Sequence, residues 1–170
     1  GDQMMSRWGH SMFKLVFCAP ERKEVSEQCL KDTAYHLVVG FRANVPGMQT
    51  DYIDGITGKY DSRLFIQNLQ DVVNEYNKGE FRNITSLPIR FTQKQQNLFL
   101  ARLKEMFWSY DGKYYFFSNN CATESLQLLK AAFPSRPDIQ EMSVLTPLGL
   151  LDKLKKKELL NTKVLEQKSN

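Results

Sequence analysis

Apolar positions along this chain recur with two different periods, and the switches between them mark the elements. Residues 11–17 (SMFKLVF) and 35–41 (YHLVVGF) are short runs, β-branched or aromatic in part, of the length of strands. The polar stretch 21–28 between them reads as a loop that joins them as an antiparallel pair. Residues 46–62 hold Pro46, Gly47, Gly55, Gly58 and several Asp, which predicts a long loop. A short strand is expected at 64–66. Residues 68–76 then place Leu69, Val72, Val73 and Tyr76 at helical spacing. Residues 81–91 read as extended, broken by Pro88.

Helix signals dominate the second half. Thr92-Gln-Lys-Gln95 has the form of a capping box and opens a helix through Phe107, with Phe99, Leu103, Met106 and Phe107 on one side. Residues 113–117 (KYYFF) predict a strand. Asn120 can cap a helix in which Ala122, Leu126, Leu129 and Phe133 recur at helical spacing before Pro134 stops it. Thr146-Pro147 opens a last amphipathic segment with Leu148, Leu151 and Leu154. There is no internal repeat, low-complexity block or linker, so the expected organisation is one α+β domain over residues 1–170.

Composition narrows the class. At 170 residues the chain can bury a core without metals or staples. With 42% hydrophobic residues it is too apolar for a disordered tail, and three cysteines are too few for a disulfide scaffold. No apolar run is long enough to span a bilayer. No signal peptide is visible, and the start at Gly1 fits a chain from which a leader or membrane segment has been removed. The 23 basic and 19 acidic residues leave a net charge of +4, concentrated in a tail with Lys153, Lys155, Lys156, Lys157, Lys163 and Lys168. That tail reads as a solvated helix face, or alternatively as a contact for anionic lipid. Nucleic acid is not an expected partner: the aromatics Tyr114–Phe117 fall in a strand rather than among exposed basic residues.

Cysteine and histidine carry the candidate chemistry. Cys18 and Cys29 flank the polar loop, and a disulfide between them would close it, contributing about 3 kcal/mol and implying an oxidising compartment. The alternative is two free thiols in a reducing one. Cys121 remains over. It follows a strand and Ser-Asn-Asn, in the first turn of an apolar helix, where the macrodipole favours thiolate. Its other reading is a small hydrophobe packed at a helix start. A thiolate nucleophile needs a base, usually His, and only two histidines exist. His10 follows Trp8-Gly9 at the start of the first strand, where a ring can face a cleft. His36 lies inside the second strand, a position that more often holds a structural histidine. No metal spacing such as CxxC or HExxH occurs, and neither a metal nor a cofactor is expected.

At these residues the chain resembles a known family. Ser6-Arg7-Trp8-Gly9-His10-Ser11 is similar to the "S-x-F-G-H-T" opening of the Lnb-type N-terminal catalytic domain of bacterial envelopes. Asp54–Tyr60 (DGITGKY) looks like its Gly-rich loop, and Glu75-Tyr76 with Glu80-Phe81-Arg82-Asn83 like its "E-Y…E-x-R-D" segment. Tyr115-Phe116-Phe117 leading into Asn120-Cys121 resembles its "Y-x-F-x-x-N-C" close. The resemblance covers residues 6–133, leaving 134–170 as a basic helical extension. It departs from the family where Gly40-Phe41-Arg42-Ala43 stands for "N-F-G-A", and where Asn83 replaces an acid.

The resemblance implies a permuted papain-like (NlpC/P60-like) fold: a small antiparallel sheet packed against helices, one of which starts at the nucleophilic Cys. Catalysis would fall to Cys121 with His10 as base. Asn119, Asn120 and His36 are candidates for orienting the base or binding the oxyanion, and Asn44 is a further option for the third polar residue. Arg82, Tyr60, Lys59 and Trp8 are candidates for substrate contact. The implied activity is acyl transfer from a phospholipid to the terminal amine of a lipoprotein, at a membrane surface in the bacterial envelope, periplasmic or membrane-associated. The same dyad would also serve a cell-wall peptidase or amidase. A non-enzymatic envelope binding module, with Cys121 merely structural, is the remaining expectation.

Overall fold

The computed structural model describes residues 11–44, 60–75, 85–109, 112–114, 120–161 and 165–166. Strands β1 (Met12–Leu15), β2 (Leu37–Asn44), β3 (Tyr60–Asn68), β4 (Thr85–Ser86), β5 (Gly112–Tyr114) and β6 (Leu165–Glu166) alternate with helices α1 (Leu69–Glu75), α2 (Gln93–Ser109), α3 (Cys121–Ala132), α4 (Pro137–Gln140) and α5 (Pro147–Lys156). Four strands form one antiparallel sheet in the order β1-β2-β3-β5, and β4 pairs with β6 in a second, two-stranded ladder. The architecture is mixed α+β.

Strand β2 is the spine of the sheet. Its residues alternate between two faces, and each face has its own cover. Val39 and Phe41 point into the main core with Phe13 of β1, Phe99 and Leu103 of α2, and Ala122, Leu126 and Leu129 of α3. Val38 points the other way, into a smaller cluster with Leu69 and Val72 of α1. Gly40 shares that second face because Phe65 and Met12 close over it. A Cβ there would stand 2.8 Å from the Phe65 ring and 3.0 Å from Met12 Cγ. The Arg42 guanidinium then lies 4.7 Å above the same Phe65 ring, a cation–π contact on the solvent side of the glycine gap.

Several elements differ from the sequence reading. β3 runs over nine residues where only 64–66 reads as strand. Asp61, Ser62, Arg63, Gln67 and Asn68 are poor strand formers, but β3 is flanked by β2 and β5, and ladder pairing overrides weak propensity. Residues 60–62, expected within the long loop, therefore open a strand; 45–59 lie outside the described residues. The helix expected to end at Phe107 continues to Ser109. Its capping box is formed as read: the Gln95 N–H donates to Thr92 Oγ1 at 3.2 Å and the Thr92 N–H to Gln95 Oε1 at 2.9 Å.

The segment after Pro134 is woven into the core rather than appended to it. Ile139, Met142, Val144, Leu150, Leu154, Leu159 and Leu160 are all buried in the main cluster. The chain then returns along residues 88–90, with the Arg90 N–H bonded to the Leu159 carbonyl at 2.8 Å and the Asn161 N–H to the Pro88 carbonyl at 2.8 Å. Helix α5 ends in a Schellman motif: the Leu159 N–H reaches the Leu154 carbonyl at 3.0 Å and the Glu158 N–H the Lys155 carbonyl at 3.0 Å. The motif puts Glu158 at φ 56°, in the left-handed region that a side chain resists.

The β1–β2 connection is fastened at several points. Cys18 and Cys29 are joined by a disulfide. Short 3₁₀ turns at Glu27–Lys31 and Thr33–Tyr35 replace the plain loop of the sequence reading. Asp32 accepts the Ala19 N–H at 2.9 Å and holds the Arg22 guanidinium through both carboxylate oxygens. The Arg22 guanidinium beside it, then the Ala19 N–H, hold the Asp32 carboxyl at about 2.

Two outcomes follow. Replacing Glu158 with Gly relieves the left-handed strain and should raise unfolding free energy by about 1 kcal/mol, measured by urea titration. Because the Asp32 pKa is depressed, its contribution to stability is complete above the ordinary carboxylate range and is lost as pH falls through about 2. Asp32→Asn should therefore flatten the fall in thermal midpoint between pH 4 and 2, whereas an unchanged acid limb would show that the pair does not contribute.

Candidate functional site

Helix α3 owes its position to its apolar content: Ala122, Leu126, Leu128, Leu129 and Ala132 are all buried between the sheet, α2 and α5. Its start is set by Asn120. The Asn120 Oδ1 accepts the N–H groups of Ala122 (2.9 Å) and Thr123 (3.2 Å), while Thr123 Oγ1 accepts the Asn120 N–H at 2.8 Å. The Asn120 amide also donates to the Leu145 carbonyl at 2.9 Å, tying the helix start to the segment before α5. Cys121 is thus the first residue of a capped, anchored helix.

Cys121 is the one free cysteine of the three, and it is 4% exposed. The environment does not follow the simple expectation for a helix start. Burial pushes the thiol up from its ordinary value; the Ser11 N–H and hydroxyl oppose that rise, followed by the N–H groups of Ala122 and Cys121 itself. The macrodipole favours thiolate, yet the loss of water outweighs it. The cap also consumes donors. With the Ala122 and Thr123 N–H groups committed to Asn120, the Cys121 N–H is the helix-terminal amide left for a developing oxyanion.

Ser11 is the neighbour that sequence reasoning passed over. It stands two residues before Phe13, whose ring packs edge-on against Phe99 with centroids 5.0 Å apart. Strand alternation therefore turns Ser11 toward the α3 side of the sheet. Its Oγ is enclosed and makes no bond of hydrogen-bond geometry, so its proximity to the Cys121 sulfur is an unformed rather than a formed bond. A buried hydroxyl in that state costs about 1–3 kcal/mol. Two signals were present in the sequence: the alternation with Phe13, and the position directly after His10.

The remaining sequence candidates divide. His36 is fully buried and sits at the other end of the β1–β2 ladder. From His36 to Phe41, beside the Ser11 end, is five residues of extended chain, about 17 Å at roughly 3.4 Å per residue. Both ring nitrogens are occupied: Nδ1 faces the Phe17 N–H at 3.4 Å and Nε2 the Leu30 carbonyl at 3.3 Å. An N–H can only donate and a carbonyl only accept, so the ring is the neutral Nε2–H tautomer. The His36 carbonyl receives the Leu69 N–H that starts α1, at 3.0 Å. His36 fastens the fold at that end of the ladder. Asn120 caps rather than pointing into a cleft. His10, Trp8, Lys59, Arg82 and Asn119 lie outside the described residues. Tyr60 is placed only as the β3 residue opposite Tyr114, and Asn44 as the one opposite Asp61.

One exposed leucine borders the site, and a second follows it on α5. Leu145, whose carbonyl the Asn120 amide holds, is 67% exposed, and Leu148 in the first turn of α5 is 62% exposed. Further along α5, Lys153, Lys155 and Lys156 face solvent, while Lys157 pairs with Asp138 at 3.0 Å. Among the described residues no three His, Cys, Asp or Glu side chains come together as a metal site.

Truncating the cap, Asn120→Ala, should cost about 1–2 kcal/mol of unfolding free energy in urea. His36→Ala should also destabilise, yet leave the alkylation rate of Cys121 in the folded protein unchanged. A slowed rate would place His36 in the Cys121 environment after all.

Comparison with known proteins bears on the whole of this arrangement. The family model of the Lnb N-terminal periplasmic domain matches residues 1–157, beyond the 6–133 of the motif resemblance and through helices α4 and α5. No curated protein and no solved structure matches the chain. Among the described residues no helix is long and apolar enough to cross a membrane. With its free cysteine at the capped start of α3 and a family match over nearly its whole length, the chain belongs to the Lnb N-terminal periplasmic domain family.

Proposed function

We propose that this periplasmic domain is a thiol acyltransferase of the bacterial envelope, with a permuted papain-like fold in which Cys121 is the nucleophile and His10 its base. The observation that carries the reading is the free Cys121 at the capped start of α3, the helix packed on the sheet face toward which strand alternation turns Ser11. Ser11 is the residue after His10 in the chain, and its place on the sheet face covered by α3 supports drawing the dyad from the start of β1 and the start of α3.

The reaction divides into two transfers. His10 takes the Cys121 thiol proton as sulfur bonds to an ester carbonyl carbon of a phospholipid. The Cys121 N–H is available to the oxyanion, a donor worth about 3 kcal/mol by the usual effect of losing one. The ester C–O bond then breaks, the alkoxide of the lysolipid takes the proton from His10, and a thioester remains on Cys121. A lipoprotein amine attacks that thioester, its proton passes to His10, and the thiolate leaves with an amide formed. Leu145, exposed and tied to the α3 start, favours an acyl chain over a cell-wall peptide as the group presented to Cys121.

Burial of Cys121 favours a second reading, an envelope binding module in which the thiol only packs. The two part company in one experiment. Native protein is incubated with vesicles of phosphatidylglycerol and phosphatidylethanolamine, and its intact mass is read before and after hydroxylamine. The acyltransferase gains a hydroxylamine-labile acyl mass that Cys121→Ala abolishes and that His10→Ala slows by about 10²–10⁴-fold. No adduct, together with alkylation of Cys121 at an ordinary thiol rate unaffected by His10→Ala, establishes the binding module instead.

A further inference from the structure

Three buried side-chain polar atoms among the described residues have no hydrogen-bond partner, and all three are serine hydroxyls: Ser11, Ser62 and Ser125. Buried polar groups are normally satisfied, so their concentration calls for a cause. Ser125 is one turn beyond Cys121 on the same side of α3 and is 1% exposed. A helix Ser usually returns its hydroxyl to the carbonyl four residues back, which here belongs to Cys121, and Ser125 does not. Helix geometry tilts its Cβ toward the turn that carries Cys121. Ser62, on β3, alternates with Leu64 onto the sheet face that α3 covers. Ser11, at the head of β1, alternates with Phe13 onto that same face, where its enclosed Oγ has no partner.

We propose that Ser11 is the hydrogen-bond donor that holds the charge of the Cys121 sulfur, its hydroxyl turning onto the sulfur when the thiol ionises. The assignment rests on the reading of Cys121 as a nucleophile and names the group that makes ionisation possible inside the core. A neutral thiol is a feeble acceptor, so the hydroxyl has nothing to bond in the resting state. A thiolate is a charged acceptor and draws a strong, short bond. A donor already enclosed beside the sulfur needs little rearrangement when charge appears. The helix end supplies less, because Asn120 draws on the Ala122 and Thr123 N–H groups and leaves the Cys121 N–H.

Glu124 lies on α3 itself. Lys14 of β1 alternates with Phe13 onto the opposite sheet face, where Arg42 of β2 stacks on Phe65. The charged side chains of α2 (Lys94, Arg102, Lys104, Glu105) and of α5 (Asp152, Lys153, Lys155, Lys156) are exposed to solvent.

The test is the rate of Cys121 alkylation by iodoacetamide against pH, in the oxidised protein, where the Cys18–Cys29 disulfide leaves a single reactive thiol. Sulfur displaces iodide, a C–S bond replaces C–I, and the thiol proton passes to buffer. The midpoint of the profile reads ionisation and the high-pH plateau reads access. Ser11→Ala should raise the midpoint by about one unit, a tenfold slower reaction at any pH below it, with the plateau preserved. Ser11→Thr, which keeps the hydroxyl, should restore the wild-type midpoint. The thermal midpoint of Ser11→Ala should stay level or rise, since the resting hydroxyl has no bond to lose. An unchanged alkylation midpoint, or a lowered melting temperature with a changed plateau, overturns the assignment and makes Ser11 structural while Cys121 remains a nucleophile. A wild-type thiol that resists alkylation at every pH at which the protein stays folded overturns the nucleophile itself, and this assignment with it.

Discussion

Burial of α3 against the inner strand β2 is the contact on which the rest of the structure depends. Ala122, Leu126, Leu128 and Leu129 are almost completely enclosed, and each fully buried leucine contributes about 1.5–3 kcal/mol. Val39 and Phe41 meet the helix from the sheet, α2 flanks it, and the segment from Ile139 to Leu160 closes the far side. The helix can therefore shift along neither its axis nor the sheet. Asn120 fixes where it begins, and so fixes the sulfur of Cys121 in depth as well as direction.

The same burial that positions Cys121 works against its ionisation. Removal from water raises the thiol, and the cap that starts the helix withdraws two of the amides that would otherwise answer the charge. The larger compensation comes from across the helix–sheet interface, from the N–H and hydroxyl of Ser11, followed by the N–H groups of Ala122 and Cys121. This division places the helix in charge of location and the first strand in charge of electrostatics. It also gives the unpaired hydroxyls a meaning: they are concentrated on one side of the sheet, while elsewhere the described core is apolar or satisfied. His36 shows the contrast. Its ring is equally buried, but both nitrogens are bonded, and it serves only to join the end of β1, the disulfide-closed connection and the first turn of α1.

Much of the fold was legible because it is local. The capping box at Thr92, the cap at Asn120, the Pro147 start of α5 and the apolar period of α3 are all written within a few residues, and short-range geometry realises them. The paired Cys18 and Cys29 belong to the same class, since a sequence separation of only 11 already keeps them near. β3 was underread because its polar residues are strand by virtue of two neighbours, which no window of sequence contains. The tail was read as a basic extension because its lysines are contiguous, whereas its buried leucines and Ile139 matter only once a core exists to receive them.

For the site, sequence by itself determined which groups are available: one leftover cysteine at a helix start, one histidine at the head of the first strand, and an asparagine suited to a cap. Tertiary structure decided what those groups experience. The depth of Cys121 depends on packing against a sheet drawn from distant segments, and the place of His36 at the far end of the ladder on the pairing of β1 with β2. The physical reason is that propensity and capping act over a turn of chain, while desolvation and hydrogen-bond satisfaction are set by whatever surfaces the fold brings together.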